Sequence, residues 1–201
     1  MLETAEYLGI LALMGIPQIK DFITVDEYIE GEQVSEIRHE YIGGRVFAMS
    51  GGSEAHNMIS LNLASALRER LRGKPCKVFM ADMKLRLNIA EDDIFYYPDL
   101  LVSCDPADDA KYYKTMPTAL VEVLSPSTER LDRREKFLSY QRLPSLKEYV
   151  LISQESMRVT LFRQQHEWKP EHFTAPDELL SLPSLDFEQS LAAIYEDVLE
   201  A

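Results

Sequence analysis

The sequence has little of what marks the less common protein classes. Two cysteines, Cys76 and Cys104, stand far apart in 201 residues without paired spacing, which argues against a disulfide framework and a zinc knuckle; both thiols are expected to be free. Glycine (8) and proline (10) are too scarce for a collagen-like or low-complexity chain, and no internal repeat is visible. No apolar run approaches the roughly 20 residues that span a bilayer. The first 19 residues carry no base, so the charged leader of a secretory signal is missing and a cytoplasmic protein with no membrane partner is expected.

Bases are also in deficit, 21 against 34 acids, for a formal charge of -13. Such a balance disfavours nucleic acid, because neutralising phosphates takes Lys and Arg. The deficit is unevenly spread, however. Residues 1–50 hold 9 acids and 3 bases and residues 170–201 hold 8 acids and none, leaving 17 acids and 18 bases between. Screening removes fields beyond about 8 Å at physiological salt, so a central basic groove remains compatible with phosphate. The plainer reading is that the charge only keeps the chain in solution.

With 46% apolar residues the chain is sufficient for one core. An N-terminal extension (residues 1–21), apolar over Leu8 to Met14 and expected to be helical, precedes a single domain over residues 22–201. Thr24 and Glu27 form a capping box that opens a helix. Ile37–Ile42 and Arg45–Met49 read as a hairpin about Gly43-Gly44. Ser53 caps a helix reaching Arg72, with Ile59, Leu63, Leu67 and Leu71 at helical spacing and Gly73 as its stop. Lys77–Ala81 and Lys84–Ile89 read as strands, and Glu91–Asp93 as a turn. Tyr96–Ser103 and Ala119–Ser125 are apolar runs of central-strand type. A helix from Ser127 or Thr128 to about Arg142, strands Glu148–Ser153 and Arg158–Arg163, and a helix Ser190–Leu199 complete an α+β pattern.

Asp99 and Glu122 each interrupt a run that otherwise reads as buried strand. A lone buried carboxylate costs several kcal/mol, whereas two that converge on a divalent cation have that cost offset. The alternative is two unrelated strand ends, each satisfied by an Arg. Lys136 lies seven residues into the following helix, about 10 Å along it; Glu122 lies a similar distance before the strand end. If the helix doubles back, Lys136 sits beside Glu122, where its point charge suits a water or a phosphate oxygen. His56 stands in the first turn of its helix, where anions are favoured, and Asp82 lies between two strands at the same edge. Arg130, Arg133 and Arg134 are placed for phosphates, as are Arg68, Arg70 and Arg72, though the latter also complement their own helix terminus.

These residues resemble the PD-(D/E)XK nuclease superfamily through Pro98-Asp99 and Glu122. From about Phe22 onward they more closely resemble a restriction endonuclease-like family designated a domain of unknown function. The resemblance rests on Glu40–Val46, His56, Pro98-Asp99, Val121–Thr128, Lys136 followed by Tyr140, and Glu148-Tyr149. One departure is plain: two residues after the Glu, where the superfamily motif has lysine, stands Leu124, and in the closer family a lysine of the next helix takes that place, here Lys136.

The resemblance implies a mixed central sheet flanked by helices, an α/β sandwich-like arrangement with an N-terminal β-hairpin, and a DNA endonuclease acting as a homodimer. Asp99, Glu122 and the Val123 carbonyl would hold Mg²⁺, with Mn²⁺ as a substitute, and waters would complete the octahedron. Lys136 would orient water or stabilise charge on phosphate, while Glu40 and His56 would join the site. The alternatives are an inactive binding or regulatory module of the same fold, and a metal-dependent hydrolase of a smaller phosphorylated compound.

Overall fold

The computed structural model describes residues 22–49, 51–125 and 132–199, with only the backbone of 132 and 133; the Leu8–Met14 segment, Arg130 and the expected helix start at Ser127 or Thr128 lie outside the described residues. The first helix, α1 (Val25–Val34), opens on the expected capping box: Thr24 Oγ1 accepts from the Glu27 amide at 3.3 Å, and Glu27 Oε2 accepts from the Thr24 amide at 2.9 Å. The hairpin β1 (His39–Ile42) and β2 (Arg45–Ala48) turns at Gly43 and Gly44, whose φ angles of 52° and 91° favour glycine at both positions. Ser53 then caps α2 (Glu54–Arg70), and Gly73, at φ 79°, follows its end.

The next strands are β3 (Lys77–Met80), β4 (Lys84–Ile89), β5 (Asp92–Tyr96), β6 (Leu100–Ser103), the short β7 (Tyr113–Lys114) and β8 (Pro117–Leu124). The run Tyr96–Ser103, expected to be one strand, is two strands in different sheets. Pro98 has no amide to donate to a ladder, and the chain leaves one sheet at Tyr96 and enters the other at Leu100. After β8 a π-helical turn (Asp132–Lys136) runs into α3 (Phe137–Tyr140), which ends two residues short of the expected Arg142. There follow β9 (Glu148–Ser153), β10 (Val159–Arg163), β11 (Pro170–Phe173), β12 (Leu179–Leu182), β13 (Phe187–Ser190) and α4 (Leu191–Ile194). The expected C-terminal helix Ser190–Leu199 thus covers one turn, capped by Ser190, and strands β11 to β13 were not anticipated. Their segments are only four residues each and punctuated by Pro170, Pro176 and Pro183, which masks strand periodicity.

Two mixed sheets result. One has the order β2-β1-β5-β4-β7, the other β11-β10-β9-β8-β6-β3, and β12 pairs with β13 as a separate hairpin. Strand β8 is antiparallel to β6 and parallel to β9, and the crossover between β8 and β9 carries the π turn and α3. Both faces of β8 are buried, which is why its sequence is apolar apart from Thr118 and Glu122. Ala119, Val121 and Val123 face the cluster formed with α2 (Ile59, Leu63, Leu67), the β12–β13 hairpin and α4. Leu120 and Leu124 face the opposite cluster, with Leu85, Ile94 and Tyr96 of the five-stranded sheet and Tyr140 of α3. Helix α1 covers the outer side of that sheet through Tyr28 on Tyr41 and Phe95. Among the described residues no helix is long and apolar enough to cross a membrane.

The expectation of free thiols is corrected. Cys76 and Cys104 form a disulfide, because the antiparallel register that pairs Lys77 with Ser103 brings these two residues opposite each other one step beyond. Their separation of 28 residues concealed a cross-strand pair.

Two outcomes are expected. Replacing the fully buried Leu63 by Ala costs about 2–5 kcal/mol, read as a lower urea midpoint at unchanged slope. Protein prepared without reductant shows no thiol in a denaturing titration with Ellman's reagent, and two after reduction.

Candidate functional site

Strand register creates the site. Leu100 pairs with Val121, so the next step places Asp99 opposite Glu122 on neighbouring antiparallel strands. Like charges directly opposite destabilise a sheet, so both carboxylates require compensation. Asp99 Oδ2 accepts from the Val123 amide at 2.6 Å, and Oδ1 lies 3.1 Å from His56 Nε2. Glu122 Oε2 lies 3.4 Å from the Asp99 amide; Oε1 accepts from the Tyr140 hydroxyl at 2.8 Å and lies 3.4 Å from Lys136 Nζ.

Lys136 also lies 3.0 Å from Glu40 Oε1 of β1, an ion contact off the direction of a hydrogen bond. Glu40, Glu122 and Lys136 are all buried. The crossover therefore returns the lysine to Glu122, as the helix rise suggested, and Leu124, at the usual lysine position, is a core residue instead. His56 reaches Asp99 from the first turn of α2, where Ser53 Oγ accepts its amide at 3.1 Å. Gly52 permits this approach, since a Cβ there would lie 2.8 Å from His56 Nδ1.

His56, Asp99, Glu122, Val123 and Lys136 border a cavity of about 520 Å³ whose rim includes Arg38, Gly52, Ser53, Asp82 and Gln154. Asp82 faces the cavity and accepts from Arg38 Nε at 2.8 Å. Tyr97 forms part of the wall, and its hydroxyl donates to the buried Glu32 of α1 at 2.5 Å. Burial pushes that phenol far above its ordinary range. Burial and the neighbouring Glu122 do the same for Tyr140, so both remain donors.

Of the residues singled out from sequence, Asp99, Glu122, Val123, Lys136, Glu40 and His56 come together. Arg130 and the Arg133 side chain lie outside the described residues, and Arg134 is exposed and does not line the cavity. Arg70 pairs with Asp186, as does Lys74 at 3.2 Å, and so anchors the C-terminal region rather than remaining free for phosphate. Glu148 also serves the C-terminal region, accepting from the Ser184 amide at 3.2 Å and from its hydroxyl; burial raises its carboxyl while these bonds lower it. Sequence reasoning missed Glu32 and Tyr97 and gave Tyr140 no role. The signal for Tyr140 was its spacing of four from Lys136, which puts both on one helical face.

The donor set is oxygen throughout, which suits a hard divalent cation that takes one or two carboxylates and keeps several waters. Among the described residues no three His, Cys, Asp or Glu residues group closely enough to hold an ion by themselves, so waters would have to complete the shell.

A mixed sheet with flanking helices that gathers Asp, Glu and Lys at one edge defines a restriction-endonuclease-like protein. The family model described as "Uma2: Putative restriction endonuclease" matches residues 25–193, and the chain belongs to that family. It is 34% identical over 176 residues to "Uncharacterized protein slr1290" of Synechocystis sp., covering 86% of this chain and 91% of that one. To "Uncharacterized protein sll1609" of the same organism it is 32% identical over 145 residues, covering 71% and 81%. The crystal structure described as "a putative nuclease belonging to DUF820 from Anabaena variabilis" shares the fold, with a TM-score of 0.69 at 19% identity over 88% of this chain and 99% of that one.

Lys136→Met leaves two buried carboxylates without their cation and is expected to destabilise the protein by about 3–5 kcal/mol, measured by urea unfolding at pH 7.

Proposed function

We propose that this protein is a Mg²⁺-dependent endonuclease that hydrolyses phosphodiester bonds of DNA. The observation that carries the proposal is the opposed pair Asp99 and Glu122, with Lys136 held against the same Glu122 carboxylate. Asp99 and Glu122, with the Val123 carbonyl, would hold the ion; Mn²⁺ would substitute. The bound cation would supply Lewis-acid stabilisation of the phosphate and lower the pKa of water.

The chain's own groups divide the remaining work. Lys136, in a nearly water-free setting, is the group suited to stabilise charge developing on a phosphate oxygen. Glu40, on the other side of Lys136, sets the ammonium position and is the available proton acceptor for an incoming water. His56 orients Asp99 and stands where a helix N-terminus favours an anion. Arg130, Arg133 and Arg134 are proposed to contact the backbone of the substrate. Cutting both strands of a duplex takes two such sites, so the reading carries a homodimer with it.

A second reading, an inactive binding module, is favoured by one observation: every oxygen of Asp99 and Glu122 already has a protein partner. Supercoiled plasmid separates the two. The nuclease reading expects nicking or linearisation in Mg²⁺ or Mn²⁺, none in EDTA, and loss to background in Asp99→Asn. Lys136→Met, assayed where circular dichroism shows it folded, should lose about 10²–10³-fold in rate. Absence of cleavage together with absence of Mn²⁺ binding by calorimetry would leave the binding module as the better account.

A further inference from the structure

The two oxygens of Glu122 meet different groups. Oε1 receives the Tyr140 hydroxyl at 2.8 Å and the Lys136 ammonium at 3.4 Å, whereas Oε2, on the Asp99 side, has the long 3.4 Å contact with the Asp99 amide. A carboxylate pinned through one oxygen presents the other in a fixed direction. Tyr140 is well suited to do the pinning. Its ring is fully buried and meets Tyr96 and Tyr149 edge-on, at 5.7 Å and 86° and at 5.2 Å and 80°, so the phenol has no room to swing. Lys136 and Tyr140, one helical turn apart, converge on the same oxygen.

We infer that Tyr140 is a positioning residue that orients the Glu122 carboxylate so that Oε2 faces a divalent cation shared with Asp99. The inference rests on the metal reading above and deepens it. Tyr140 does not reach the cavity and would touch neither substrate nor ion. It acts through Glu122, in the way that hydrogen-bonded partners of ligating carboxylates set their direction and basicity. A merely structural phenol, satisfied by the nearest acceptor, would matter for stability and leave cation affinity alone.

Tyr140→Phe keeps the ring and deletes the oxygen. In calorimetry of the full chain with Mn²⁺, it is expected to weaken binding by about 10–100-fold. Tyr41→Phe is the control: Tyr41 is equally buried, but its hydroxyl donates to the Ile23 carbonyl at 2.9 Å, away from the carboxylates. That variant should bind Mn²⁺ as the wild type does, whatever its stability. A second measurement tolerates a less stable variant: the rise in melting temperature at a fixed Mn²⁺ concentration should be full in Tyr41→Phe and reduced in Tyr140→Phe. If Glu122→Gln loses Mn²⁺ while Tyr140→Phe binds it normally, the positioning role is overturned and the metal reading stands. If the wild type binds no Mn²⁺, both fall together.

Discussion

Lys136 lies between two buried glutamates from different sheets, Glu40 of β1 and Glu122 of β8, and this contact ties the five-stranded sheet, the six-stranded sheet and the β8–β9 crossover at one point. Desolvating three charges costs several kcal/mol each. The arrangement is tolerable because the ammonium serves both carboxylates and the Tyr140 hydroxyl satisfies one of them further. Hydrophobic side chains would fill the same space at lower cost, so the buried charges are better explained by chemistry than by stability. That is the physical basis for choosing this edge as the candidate site.

Around that contact the backbone acts as a positioning device. Pro98 ends β5 in one sheet and delivers Asp99 to the head of β6 in the other, opposite Glu122. At the far end of β6 the Cys76–Cys104 disulfide closes the β3–β6 ladder. Between these two points, β6 is paired on both sides, with β3 and β8, and every one of its residues is buried. Asp99 is therefore held by a rigid strand. His56 is held likewise by α2, whose apolar stripe is fully buried against the sheet. Sites carried on such elements keep their geometry better than sites carried on loops.

The acidity of the chain is also partly accounted for by its folding. Asp186 takes Arg70 and Lys74, Glu171 takes Arg163, and Glu178 accepts the amides of Thr174 and Ala175 at 2.6 and 2.8 Å. Part of the C-terminal excess of carboxylates thus secures the β12–β13 region to α2 and β10. Those bonds lower the Asp186 and Glu178 carboxyls, and in Glu171, where burial works the other way, the partners Arg163 and His166 prevail. Among the described residues, the cations bordering the cavity, Arg38 and Lys136, are both paired with acids, so the site has no unopposed basic face.

The capping box at Thr24, the glycine hairpin and the Ile59–Leu71 stripe were all legible, because capping, turn geometry and helical periodicity are local and act within a few residues of sequence. Asp99 and Glu122 were legible for a related reason: a charge inside an apolar run is an energetic anomaly that the sequence itself displays, whereas Lys136, in a charged segment, was reached by its distance along the following helix and by the family resemblance. What no local pattern carries is register. It decided that Asp99 stands opposite Glu122, that Cys76 meets Cys104 across 28 residues, and that Tyr96 and Leu100 belong to different sheets. Tyr140 entered only as part of the family resemblance, with no role, and it is the crossover that brings its hydroxyl to Glu122. The sequence by itself determined which residues are costly to bury; only the tertiary structure decided which of them share that cost, because pairing depends on contacts between segments far apart in the chain.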